Sequence, residues 1–182
     1  MKEEVIIAGF GGQGVMSMGK ILAYAGMKEQ KEVSWIPSYG PEMRGGTDHC
    51  TVTISDKKIA SPMSSNPDNI IVMNYPSLEK FINKVKSEGL VLINSSLINS
   101  TVDRKDVEVI EVPANAIARE LGNNKIANMV MLGAYISRKN NIGIYPVKKA
   151  LKEVLPVRRH NLIPLNEKAL KRGKALVESE IY

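Results

Sequence analysis

Hydrophobic positions in this chain follow two rhythms that trade places along most of its length. Short apolar runs, Val5-Ile6-Ile7-Ala8, Asn69-Ile70-Ile71-Val72-Met73 and Gly89-Leu90-Val91-Leu92-Ile93-Asn94, have the length and composition of buried strands. Elsewhere apolar residues recur every three or four positions, the spacing that lines one face of a helix. Val15, Met18, Leu22 and Ala25 do so, then Leu78, Phe81, Ile82 and Val85, and later Ala127, Val130, Met131, Ala134 and Tyr135. Val147, Ala150, Leu151 and Val154 make another stripe after Pro146, and a last helix is expected from Pro164 to about Glu178. Pro113 suits a first helical position before Ala114, Ile117, Ala118 and Leu121, with Gly122 as the stop.

Glu32 to Tyr39 is a further apolar segment that reads as the second strand, and Val107 to Val112 alternates as a half-exposed strand would. The β-branched run Cys50 to Ser55, a turn at Asp56-Lys57-Lys58 and a return at Ile59-Ala60-Ser61 predict a β-hairpin. Strands alternating with helices give an α/β class. The expected architecture is a three-layer α/β/α sandwich around a mostly parallel sheet, with a Rossmann-like start and the hairpin as an antiparallel addition. No linker divides the chain, so residues 1–182 are expected to form one domain.

The first strand runs straight into Gly9-Phe10-Gly11-Gly12-Gln13-Gly14, and a helical stripe follows. A strand, a glycine turn and a helix in that order present backbone N–H groups at a helix N-terminus, where the macrodipole favours an anion. The spacing of Gly9, Gly11 and Gly14 fits the dinucleotide fingerprint. That fingerprint also needs an acid about 20 residues on, at the end of the next strand, to hold ribose hydroxyls. The second strand opens on Glu32 and closes on Ile36-Pro37-Ser38-Tyr39, with no carboxylate at its end. Two readings of the glycines therefore stand: a phosphate cradle, or close packing of the first helix on the sheet.

The segment Pro37 to Thr47 follows the second strand and carries three glycines, Glu42 and Arg44. Open α/β sheets bind ligands at the carboxyl ends of their strands, so this loop and the glycine turn are expected to share one face, with Arg44 offered to a phosphate or carboxylate. Other chemistry is sparse. His49 and His160 are too few and too far apart to suggest a metal by spacing, and Cys50 reads as a small core residue. No Gly-x-Ser-x-Gly, His-Glu-x-x-His or Gly-Lys-Ser/Thr element is present.

Composition narrows the picture further. One cysteine in 182 residues excludes an intrachain disulfide and cannot supply the four thiolates of an iron–sulfur cluster. No run approaches a membrane span and no signal-peptide core follows Met1, so a cytoplasmic protein without a membrane is expected. The net charge of +6 is concentrated late, with nine of the 25 basic residues between Lys148 and Lys174. With 5% aromatics and no nucleic-acid motif, a solvated helical face explains it better than nucleic acid.

Four motifs in order, Gly9-Phe10-Gly11-Gly12-Gln13-Gly14-Val15, Pro37 to Gly46, Ile59-Ala60-Ser61-Pro62, and Ala127-Asn128-Met129-Val130 with Leu132-Gly133-Ala134, resemble the gamma subunit of 2-oxoacid:ferredoxin oxidoreductases. The likeness implies a chain that is inactive alone and works with alpha, beta and delta subunits. Such a complex converts a 2-oxoacid and coenzyme A to acyl-CoA and carbon dioxide while reducing ferredoxin. Thiamine diphosphate, magnesium and [4Fe-4S] clusters are then expected on partner chains, with no cofactor held by this one alone and a homodimer open to the isolated chain. The family's glycine turn maps onto Gly9, Gly11, Gly12, Gln13 and Gly14, and its Arg-Gly-Gly loop onto Arg44, Gly45 and Gly46. These are the expected contacts to coenzyme A. Asn128 is expected to cap its helix or to face the same cleft. The tyrosine-containing loop resembles most the 2-oxoglutarate enzymes, then the branched-chain ones. The alternative is an independent dinucleotide-binding oxidoreductase.

Overall fold

The computed structural model describes residues 1–38, 47–61 and 66–180. In chain order the elements are β1 (Lys2–Phe10), α1 (Val15–Lys28), β2 (Glu32–Ser38), β3 (Thr47–Ser55), β4 (Asn69–Val72), α2 (Tyr75–Phe81), β5 (Leu90–Asn94) and β6 (Glu108–Val112). Helices α3 (Ala114–Glu120), α4 (Ala127–Lys139), α5 (Ile144–Val154) and α6 (Ile163–Glu180) complete it, with short 3-10 turns at Asn124–Ile126 and Val157–Leu162. The strands form one sheet in the order β2-β3-β1-β4-β5-β6. β1, β4, β5 and β6 are parallel, and β3 runs antiparallel to both its neighbours.

The α/β class and the mostly parallel sheet match the sequence reading; the hairpin does not. β3 begins at Thr47, pairs with β1 from Phe10↔Thr47 to Lys2↔Ser55, and pairs with β2 from Ser38↔His49 to Glu32↔Ser55. Both of its edges are thus filled by long ladders. Ile59-Ala60-Ser61 therefore finds no free edge on β3 and forms no strand. The antiparallel addition is β2 with β3, and β3 is inserted beside β1 rather than hung from the sheet. One boundary also shifts: Pro113 is the residue before α3, not its first. Gly122 does end α3, at φ 87° with its N–H on the Arg119 carbonyl.

Alternation along the strands divides the core in two. Val5, Ile7, Cys50, Val52, Ile54, Ile71, Leu90 and Leu92 face the layer built from α1 and α3 to α6. Ile6, Ala8, Ile70, Val72, Val91 and Ile93 face Leu78 and Phe81 of the much thinner α2 side. In the thick layer α4 and α6 cross with their backbones in contact at Gly133 and Gly173. A Cβ built on Gly133 meets the Leu170 carbonyl, and one on Gly173 meets the Val130 carbonyl. No helix among the described residues is long and apolar enough to cross a membrane.

Candidate functional site

β1 delivers the chain to the carboxyl edge of the sheet at Phe10, and the turn closes when Gln13 N–H reaches the Phe10 carbonyl at 3.1 Å. Gly12 (φ 89°) and Gly14 (φ 75°) take left-handed conformations that side chains resist. Gly14 then caps α1, its carbonyl accepting from Met18 N–H at 2.9 Å. Gly9 is required by packing, since a Cβ there sits 2.9 Å from both Met73 Cβ and Val15 Cγ2. Gly11 has no positive φ, and among the described residues a Cβ built there would come within 4 Å of Asp48 Oδ2 alone, at 3.4 Å.

Gln13 holds this turn in place. Its Oε1 accepts from Phe10 N–H at 2.6 Å and from Asn74 Nδ2 at 3.1 Å, while its Nε2 donates to the Met73 carbonyl at 3.4 Å. The side chain thus staples the end of β1 to the residues after β4. Asn128, in the first turn of α4, does not cap its own helix. It donates instead from Nδ2 to the Gly14 carbonyl at 3.2 Å, tying two helix starts together. Its Oδ1 is buried and finds no donor among the described residues.

Between these helix starts lies a cavity of about 530 Å³ bordered by Gly12, Gly14, Asp48, Lys125, Asn128 and Arg159, with Met16 and Leu155 on its apolar wall. The amino ends of α1 and α4 open on it, and two cations, Lys125 and Arg159, border it, a combination that suits a phosphate or carboxylate. Glycine turn and Asn128 therefore meet in one cleft, 114 residues apart in sequence. Arg44, Gly45 and Gly46 lie outside the described residues. Their segment is anchored at Ser38 and Thr47, which stand at the same sheet edge as Phe10.

Lys125, Arg159 and Asp48 are additions that the sequence reading passed over. Lys125 sits in the 3-10 turn before α4 and Arg159 in the one before α6, both inside polar stretches with no motif. No local signal marks them; only the packing of α4 and α6 beside α1 does.

Cys50 and His49 flank the site without entering it. Cys50 is fully buried under α1, its Sγ 3.7 Å from the Val15 carbonyl, and burial pushes its thiol up to about 12. It is inert in the folded state. An alkylating reagent such as iodoacetamide should leave Cys50 unmodified in native protein and label it fully in denaturant, as read by intact mass. His49 points to the α2 side, its ring 4.9 Å from that of Phe81, and burial together with Lys80 lowers its pKa. Among the described residues no group of three or more His, Cys, Asp or Glu is placed to hold a metal ion.

The sequence model of the pyruvate ferredoxin/flavodoxin oxidoreductases matches residues 4–176. The chain belongs to that family. It is 44% identical over 133 residues to the ketoisovalerate oxidoreductase subunit VorA of Methanothermobacter marburgensis, a match covering 73% of this chain and 28% of that longer one. The chain thus spans less than a third of that relative. Against the 2-oxoglutarate synthase subunit KorC of Methanocaldococcus jannaschii it is 33% identical over 159 residues, covering 86% of this chain and 85% of the other. Among solved structures it resembles a keto/oxoacid ferredoxin oxidoreductase gamma subunit from Geobacter sulfurreducens, with a TM-score of 0.84, 26% identity, and coverage of 97% of this chain and 99% of that one. The likeness read from four short motifs extends over nearly the whole chain.

Proposed function

We propose that this chain is the gamma subunit of a 2-oxoacid:ferredoxin oxidoreductase, and that its cleft holds the phosphate-bearing part of coenzyme A. The observation that carries the cleft assignment is the meeting of the glycine turn with Lys125, Arg159 and the N-terminus of α4 around one cavity. Backbone N–H groups and two cations make a cradle for a diphosphate, and an apolar wall suits the uncharged remainder of such a ligand. Family resemblance supports placing Arg44, Gly45 and Gly46 at the same ligand. Oxidative decarboxylation belongs to thiamine diphosphate and the [4Fe-4S] clusters of the partner subunits. This chain's residues bind and orient the thioester-forming substrate.

Three 2-oxoacids fit the relatives, pyruvate among them through the PorC subunit of Methanothermobacter marburgensis at 29% identity. KorC matches over nearly equal lengths, which favours 2-oxoglutarate, and VorA is the more identical over a shorter stretch, which favours a branched-chain acid. Turnover of the reconstituted complex with 2-oxoglutarate, 3-methyl-2-oxobutanoate and pyruvate decides among them.

Co-purification of the native chain with a thiamine diphosphate protein and an iron–sulfur protein tests the assembly; elution of the native chain alone from its own extract rejects it. For the cleft, Lys125→Ala, Arg159→Ala and Arg44→Ala in the complex should each raise KM for coenzyme A by about tenfold with kcat little changed, the loss of one charge-assisted contact made equally in ground and transition states. An unaltered KM in all three removes coenzyme A from the cleft.

A further inference from the structure

Dinucleotide folds hold a ribose with a carboxylate at the glycine-turn edge of the sheet, one strand over from the first. Here β2 brings no acid to that edge, but β2 is not the neighbour of β1. β3 lies between them and runs the opposite way, so its beginning rather than its end stands beside the glycine turn. Its second residue is Asp48, paired in register with Gly9. Alternation places Asp48 on the same side as Cys50, Val52 and Ile54, under α1, and it borders the cleft. No described residue donates a hydrogen bond or an ion pair to it.

Two independent observations point to a ligand at this spot. Among the described residues neither φ nor packing demands the glycine at Gly11, and a Cβ built there would meet Asp48 Oδ2. Asn128, only 7% exposed, borders the same cavity and carries a buried Oδ1 that finds no donor among the described residues. Flipping that amide brings no relief, because its oxygen would then face the Gly14 carbonyl. Both acceptors border the glycine turn and call for hydroxyl or amino donors.

The geometry points to Asp48 as the acceptor for the paired hydroxyls of a ribose, and so to a second ligand class for the cleft: a nucleoside diphosphate with free 2′ and 3′ hydroxyls, which competes with coenzyme A. This inference rests on the reading of the cleft as a phosphate site. Coenzyme A carries a phosphate on its ribose 3′ oxygen, and like charge keeps that group away from Asp48. The two ligands share the phosphate cradle and differ at the ribose.

Calorimetric titration of the intact chain with ADP, 2′,3′-dideoxy-ADP and coenzyme A, for the native sequence and for Asp48→Ala, tests the assignment. Native protein should bind ADP about tenfold more tightly than the dideoxy form, the worth of hydrogen bonds to a carboxylate. In Asp48→Ala the preference should vanish while coenzyme A binds no more weakly. The isosteric Asp48→Asn, with folding checked by its melting curve, should reduce the preference and serves if the alanine variant is unstable. Equal binding of ADP and dideoxy-ADP to the native chain, or a preference that survives both substitutions, overturns the role of Asp48. If coenzyme A binds and ADP does not, the inference fails and the phosphate-site reading stands. If neither binds, both fail.

Discussion

Replacing Gly173 or Gly133 with alanine should lower the melting temperature by about 5–10 °C, although alanine is the better helix former. The propensity gain of Gly→Ala in a helix is at most about 1 kcal/mol. Against it stands overpacking, which costs roughly 1–3 kcal/mol and lies at the upper end when the obstructing atom cannot turn aside. Here the obstruction is main chain: the new methyl on residue 173 meets the Val130 carbonyl, and that on residue 133 meets the Leu170 carbonyl. Both carbonyls belong to helices, so the only relief is to part α4 from α6, whose buried residues include Val130, Ala134, Ala169 and Leu170. A net loss of about 2–3 kcal/mol corresponds to the stated shift for a chain of this size, at roughly 2–4 °C per kcal/mol. Gly11→Ala is the control, since among the described residues its methyl meets only Asp48 Oδ2, at an ordinary contact distance of 3.4 Å. Melting curves of the three variants decide it. Unchanged or raised stability in Gly173→Ala would mean that α4 and α6 do not touch through their backbones.

That crossing shows what a sequence can and cannot carry. The stripes Val130, Met131, Ala134 and Tyr135 of α4 and the start of α6 near Pro164 were legible because helical burial repeats every three to four residues. Nothing local reveals that Gly133 packs on Leu170 and Gly173 on Val130, far apart in sequence. Tyr135 was legible only as core; its hydroxyl receives Asn69 Nδ2 at 3.3 Å at the far edge of the sheet, and burial raises its pKa well above the usual range. The hairpin misreading has the same root. β propensity marks Cys50 to Ser55 as a strand but says nothing of its partners, and β1 and β2 supply longer ladders than Ile59 to Ser61.

The site divides in the same way. Gly9, Gly12 and Gly14 were readable because a tight strand-to-helix turn imposes its own chemistry on consecutive residues. Their reasons differ, however, in ways that spacing does not disclose. Gly9 is held by packing, Gly12 and Gly14 by φ, and Gly11 by neither among the described residues. Asp48 was invisible to a search at the end of the second strand because the sheet order puts β3, reversed, where a dinucleotide fold puts β2. An insertion of one antiparallel strand moves the acidic position from the end of one element to the start of another.

Gly14→Ala should destabilise the protein by about 3 kcal/mol, and removing Asn128 in the same chain should return part of that loss. Two costs act at residue 14. The left-handed backbone at φ 75° costs an L-residue roughly 1–2 kcal/mol. The new methyl also meets the Asn128 side-chain amide, which Gly14 alone leaves room for. Asn128→Ala by itself should cost about 1 kcal/mol, the loss of one hydrogen bond to a carbonyl that still accepts from Met18 N–H. In the double variant the steric cost disappears and the backbone cost stays, so the two changes should fall short of additivity by about 1 kcal/mol. Urea unfolding of the four proteins measures this cycle directly. Additive losses would show that Asn128 does not bear on Gly14, and with it would go the tie between α1 and α4 that shapes the cleft. Subadditive losses, accompanied by weaker coenzyme A binding in every variant, would place the stability of the turn and the affinity of the cleft on the same pair of residues.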